Sequence, residues 1–241
     1  MKRALRILFS VIFGFAVLLV SANLYFHYWL QHHLPQYIEN KFPYHIHYQD
    51  LNIEFVSGNI SASKVKITPK ITDNQNVLQL NGTVDSLFIS NLGIYDAILN
   101  KKINAKYVKL FRPNLQIILP ENQDAHKNNK QSLISKNLVI EDGNVEILRF
   151  DKSKFLSIEN LSLNIENLKL TEKEVSRKLP IVFDQYSIKS KAFHFYPDGV
   201  YHISAAEINT ENRKMSVIDF SMKSLMNFSE FSRKFPRKSL L

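Results

Sequence analysis

The segment KYVKLFRPNLQIIL, residues 106–119, decides the fold class, because Val108 and Leu110, then Leu115, Ile117 and Leu119, alternate with other side chains at spacing two. That period places a set of apolar side chains on one face of a strand, whereas a helix would gather residues three and four apart. The same alternation extends toward the N-terminus through Leu87 and Ile89, Leu78 and Leu80, Val65 and Ile67, and Leu51, Ile53 and Phe55. Toward the C-terminus it continues through Leu138 and Ile140, Val145 and Ile147, and Leu161, Leu163 and Ile165. The opposite positions are Asn, Lys, Glu and Ser. Between the runs lie Ser57-Gly58-Asn59, Asn81-Gly82, Asp142-Gly143-Asn144 and Asp198-Gly199, residues that accept the positive φ of tight hairpins. The pattern predicts a mainly β body: an antiparallel meander of on the order of a dozen strands, reaching roughly 55–60 Å if stacked in sequence.

Short helices interrupt the strands. LPQYIENKF, residues 34–42, has Pro35 in its first turn and ends at Pro43. Leu92 to Leu99 carries an apolar stripe of Ile94, Tyr95, Ile98 and Leu99. Thr171 to Glu174 forms a capping box that opens a third helix ending before Pro180. ENQDAHKNNKQ, residues 121–131, is a solvated loop between two strand blocks of similar plan.

The N-terminus reads differently. Ile7 to Leu30 contains no formally charged residue, and its apolar run of about twenty residues matches a hydrocarbon core of about 30 Å. Lys2, Arg3 and Arg6 precede it and hold the N-terminus in the cytoplasm by the positive-inside rule, while Tyr25, Tyr28 and Trp29 fall at the far interface. Val20-Ser21-Ala22 also suits a signal peptidase, and either reading exports the body. The expected organisation is a transmembrane signal-anchor at 1–30, a first β block with short helices at 31–120, a polar loop at 121–131, a second β block at 132–222 and a basic aromatic tail at 223–241, read as a truncated continuation.

Composition excludes several classes. With 241 residues, 45% hydrophobic and 22% charged, the chain can bury a core, and six glycines with no cysteine remove disulfide scaffolds, Cys-type metal sites and cysteine nucleophiles. The net charge of +9 concentrates at the two ends, so a basic nucleic-acid-binding face is not expected and no nucleic-acid partner is assigned. No GxSxG, Walker, GxGxxG or HExxH pattern occurs, so neither enzymatic activity nor a cofactor is expected. Asp184, Asp198 and Glu207 are assigned turn and surface duties. His45 and His47 face one side of a strand near His32 and His33, yet no third ligand is marked, so no metal is expected.

The order of anchor, short helix, strands, and then GIYDAILNKKINAKYVKLFRPNLQIIL resembles the N-terminal region of the AsmA-like family of bacterial envelope proteins. Lys102-Ile103, Val108, Leu110 and Pro113 occupy the family's strand pattern, and LVIEDGNVEIL looks like its recurrent hairpin. The resemblance covers most of Met1 to about Ser221. It implies an elongated, half-open sheet curved into an apolar groove that accommodates or moves phospholipid between membranes and serves outer-membrane homeostasis. Relatives are often longer, which leaves the bridging of two membranes to partners.

The fold class expected is therefore mainly β, an N-terminal transmembrane helix followed by an elongated antiparallel, curved, groove-like sheet. The candidate lipid-lining residues are Ile53, Phe55, Val65, Ile67, Leu87, Ile89, Val108, Leu110, Leu115, Ile117, Leu138, Ile140, Val145, Ile147, Leu161, Leu163 and Ile165. Expected partners are phospholipid, the inner membrane through a single-pass anchor with the body in the periplasm, and envelope proteins that extend the sheet. Alternation also arises in a closed two-layer sandwich, and such a scaffold would bind a protein partner without lipid. The final edge, before NFSEFSRKFPRKSLL, is expected to lack a closing strand.

Overall fold

The structure, a computed structural model, describes residues 43–54, 57–70, 78–93, 102–121, 132–170, 182–211 and 214–234, with seven helical positions between Val17 and Tyr28. The charges at Lys2, Arg3 and Arg6, the helices expected at 34–42 and 171–179, Phe55, and most of the helix at 92–99 and of the loop at 121–131 lie outside the described residues. So does most of the expected membrane span. Among the described residues no helix is long and apolar enough to cross a membrane.

The strands are β1 (Tyr44–His47), β2 (Asp50–Glu54), β3 (Asn59–Pro69), β4 (Gln79–Ser90), β5 (Lys102–Ile118), β6 (Ser132–Leu148), β7 (Lys154–Leu170), β8 (Gln185–Phe195), β9 (Tyr201–Glu211), β10 (Lys214–Ile218) and β11 (Ser221–Ser224). One helix, α1 (Phe228–Lys234), follows. All eleven strands form one open sheet in the order β1-β3-β4-β5-β6-β7-β8-β9-β10, with β2 also on β3 and β11 also on β9. The two expected strand blocks are thus joined edge to edge, and the described strands form one layer and not a two-layer sandwich.

Two expectations are corrected. The meander is not antiparallel throughout, because β5 and β6 pair in parallel at a constant offset from Lys102↔Ser132 to Ile118↔Leu148. The connection between the two strands, residues 119–131, has the dozen or more residues that parallel pairing requires and a tight hairpin lacks. The sheet is also narrower than expected. Nine strands on its path span about 38 Å, because two short strands share each edge and two sequence "turns" lie inside strands.

Those two turns are the informative errors. Ser57-Gly58-Asn59 and Asp198-Gly199 do reverse the chain: Gly58 has φ 67°, and Asp198 Oδ1 accepts from the Val200 and Tyr201 N–H groups at 2.9 and 3.1 Å. Asn81-Gly82 instead sits within β4, and Asp142-Gly143-Asn144 within β6, so LVIEDGNVEIL is part of one continuous strand. Asp142 keeps its left-handed conformation, φ 52°, but uses it to crease the strand.

The crease crosses the whole sheet. Left-handed residues Lys64, Arg112, Asp142, Asn160 and Ala192 lie at neighbouring registers on β3, β5, β6, β7 and β8, and Asp219 continues the line between β10 and β11. On each strand the inward-facing residues step by three across it: Ala62 to Val65, Val84 to Leu87, Leu110 to Pro113, Ile140 to Gly143, Ile158 to Leu161 and Ala205 to Ile208. Ala62, Val65 and Val84 pack in one cluster with Leu51, Ile67, Leu87, Leu110 and Leu115, which places residues from both sides of the crease on the same face. A shorter crease runs parallel to it, with steps Ala105 to Val108, Ser135 to Leu138 and Ile165 to Leu168 beside Asn167, φ 53°.

Gly143 is required by close approach, since a Cβ there would lie 2.9 Å from Pro113 Cγ and 2.9 Å from Ile140 Cγ2. Gly143→Ala is therefore expected to destabilise the body by about 1–3 kcal/mol, whereas Asp142→Gly, which relieves a left-handed non-glycine, is expected to be neutral or slightly stabilising. Urea denaturation of the two variants checks this, and equal midpoints would contradict the crease as a tightly packed element.

Candidate functional site

The apolar face is built from rows that run across the strands. On one side of the crease, Ile53, Ile60, Ile89, Val108, Leu138, Ile165 and Tyr186 stand side by side in register. Next to them run Leu51, Ala62, Leu87, Leu110, Ile140, Leu163 and Ile188. Beyond the crease, Ile46, Ile67, Gly82, Leu115, Val145 and Ile158 form a third row. Leu80, Ile117, Ile147, Leu156, Phe195, Ile203 and Met222 form a fourth. None of these residues carries a formal charge.

Every described lipid-lining candidate falls on this face. They divide by burial, and the division has a cause. Residues at the crease have neighbours on both arms of the bend, so Val65 is 5% exposed and Leu161 5%, and Ile53 is 3% exposed on β2. Along the arms Leu87, Ile89, Val108, Leu110, Leu115, Ile117, Leu138, Ile140, Val145, Ile147, Leu163 and Ile165 remain half-buried, because no second layer of described residues covers them. Ile140, Leu163 and Ile188 line a shallow depression that Glu141, Lys189 and Thr210 also border.

The ion pairs lie on the other face. Lys109 Nζ meets Glu141 Oε1 at 2.8 Å across the parallel pair, and hydrogen bonding to Glu141 holds the Lys109 ammonium above its ordinary pKa. Arg112 Nε meets Asp85 Oδ2 at 3.0 Å beside the crease, and Gln116 donates to Glu146 at 2.9 Å. Exposed pairs of this kind contribute little stability. Their consequence is orientation: an arm flipped by one residue would bury these charges and lose the pairs. Tyr44 donates its hydroxyl to the Leu78 carbonyl at 2.7 Å, and burial raises its phenol pKa.

His45 and His47 do share one side of β1, opposite Thr68 and Lys66. Among the described residues no three metal-capable side chains converge. Sequence reasoning missed Val84, Leu156, Ile158 and Ile188, and the rows through β8 and β9. Its period-two search broke at Asn160 and Ala192; at Asn160 a three-residue step centred on Asn was the available signal, at Ala192 no such residue marks the step, and Ser190, fully buried at the crease with no partner for its hydroxyl, further blurs the pattern. It also missed an imidazole pair: His194 Nδ1 and His202 Nε2 lie 3.1 Å apart, with the Tyr196 ring stacked on His202 at 4.5 Å.

No protein-family model matches the chain, and no curated protein matches it. What the described geometry offers is an uncharged apolar face. What it can do chemically is solvate apolar matter along continuous rows.

Desolvation, then His194 and Lys223, hold the His202 pKa below its ordinary value. A base with a depressed folded pKa stabilises the fold fully above its unfolded pKa of about 6.5 and loses that contribution as pH falls. Proton NMR is expected to show His202 titrating below the ordinary histidine value, and His202→Gln is expected to reduce the loss of stability between pH 7.5 and 5.5. A His202 midpoint at or above about 6.5 would contradict the packing described.

Proposed function

We propose that this chain is a non-enzymatic, membrane-anchored protein of the cell envelope that shelters phospholipid acyl chains against the apolar face of its creased sheet. The observation that supports this most directly is the set of uncharged rows that crosses the strands and stays half-exposed. Exposed apolar surface of that extent is a hazard unless something apolar occupies it. Burying acyl methylenes there is worth about 0.8 kcal/mol each. A chain of a dozen would be held by about 10 kcal/mol at full burial, and by less on a face open on one side.

Rows of near-equivalent side chains also suit movement. An acyl chain lying along a row meets an uncharged side chain at each strand, most often Ile, Leu or Val, so stepping by one strand changes little in its surroundings. The proposal extends to a role in lipid transport or outer-membrane homeostasis, in keeping with the AsmA-like resemblance, with the body in the periplasm and one N-terminal span in the inner membrane. A reporter fused after Gln31 is expected to be active only outside the cytoplasm, and protease added to spheroplasts is expected to remove the body. A body protected until detergent is added would overturn that topology.

The lipid reading has its own test. Ile140→Asp and Leu163→Asp change half-buried positions on one arm, so the protein is expected to stay folded while phospholipid in its organic extract falls at least several-fold. Val84→Asp, at a position 4% exposed, is expected to unfold the body by burying an unpaired charge. Folded Ile140 and Leu163 variants that retain wild-type lipid, or a lipid-free wild-type protein, would reject the proposal.

A further inference from the structure

The geometry points to the last edge of the sheet as a docking site for a strand of another protein, one that repeats the three-residue apolar step of the crease and is acidic at both ends. The inference deepens the lipid-sheltering proposal, since such a strand would lengthen the apolar face. It rests on an edge whose pattern is already in phase. β10 and β11 pair with β9 in one unbroken register, from Lys214↔Glu211 to Ser224↔Tyr201, so 214–224 acts as a single strand interrupted at the crease by Asp219, φ 52°.

The inward side chains of that edge continue the rows. Val217 stands opposite Ile208 and Met222 opposite Ile203, and Val217 and Phe220 make the same three-residue step as Val84 and Leu87. Yet Met215, Val217, Phe220 and Met222 are 63%, 40%, 64% and 55% exposed, whereas Ile53 at the opposite edge is 3% exposed. Among the described residues no strand pairs the outer side of β10 or β11. An apolar face that runs uncovered to an edge with open backbone groups is what strand addition completes.

Charge selects the occupant. Lys214 and Lys223 are exposed and point to the outer face at the two ends of the edge. Two copies of this chain joined crease to crease would set Met215 beside Met222 and Val217 beside Phe220, which is favourable. The same register would set Lys214 beside Lys223 twice, and like charges directly opposite destabilise a pair. A strand with carboxylates at those positions keeps the apolar match and gains two ion pairs.

A peptide of residues 79–90 carrying Asn81→Glu and Ser90→Glu supplies the probe. Antiparallel on this edge it sets Leu87 against Val217, Val84 against Phe220, and its glutamates against Lys223 and Lys214. Fluorescence anisotropy with the full chain in phosphatidylcholine nanodiscs is expected to show saturable binding, and a photoreactive residue at Ser216 is expected to crosslink the peptide near Phe88. Lys214→Glu with Lys223→Glu is expected to weaken binding at least tenfold, and a peptide with Asn81→Lys and Ser90→Lys to restore it. No binding, or binding indifferent to the charge swap, would overturn the assignment. So would a Ser216 adduct to a second copy, or one formed only with phosphatidylglycerol vesicles, which would give the edge to self-association or to an anionic membrane. Lipid extracted from the same samples keeps the two proposals separate, because a lipid-loaded chain that ignores the peptide sinks only the edge.

Discussion

Side chains on a strand alternate between two faces, and a strand that bends without changing that count would turn its apolar residues toward water halfway along. This constraint governs the molecule. Each long strand solves it with a three-residue step, and the steps coincide because paired strands cannot bend independently: a left-handed residue in one must meet a matching irregularity in the next. Lys64, Asp85, Arg112 and Asp142 occupy matching places on four successive strands, although only three of them have positive φ. Once the crease is shared, the rows of one face carry no formal charge, and the ion pairs of Lys109 with Glu141 and Arg112 with Asp85 are confined to the other.

Burial follows from the bend. Val65, Val84, Pro113 and Leu161 are buried at the crease, where the two arms give each residue neighbours on both sides. The arms are left with half-covered isoleucines and leucines. The same division separates structural from functional substitutions: a charge at the crease attacks the fold, while a charge on an arm attacks what the arm faces. The two edges also differ. The first hides Ile53, and the last displays Met215, Phe220 and Met222 between two lysines. Lysines at an open edge discourage indiscriminate pairing, which lets an apolar edge remain uncovered without inviting its own copy.

The chain closes with a small example of local determination. Asn227 and Glu230 cap α1 reciprocally, the Glu230 N–H donating to Asn227 Oδ1 at 2.9 Å and the Asn227 N–H to Glu230 Oε2 at 3.0 Å. In the sequence, Phe228, Phe231 and Phe235 stand at near-helical spacing, a local signal for this segment.

Period-two alternation by itself determined the mainly β class of the body and most of the apolar face between Leu51 and Ile165, because side-chain direction on a strand depends on local backbone geometry; Val84, Leu156, Ile158 and Ile188, next to the three-residue steps, escaped it. The turns at Gly58 and Gly199 were equally local. Tertiary structure alone decided that Asp142-Gly143 would crease its strand and that Asn81-Gly82 would continue one, where either pair could have reversed the chain, since Pro113 packs on Gly143 and Leu115 against Gly82 from the neighbouring strand. It also decided that β5 and β6 run parallel and join two blocks into one sheet. Pairing partners far apart in sequence are chosen by how well their apolar rows and charges match across the gap, and that match exists only once both strands are in place.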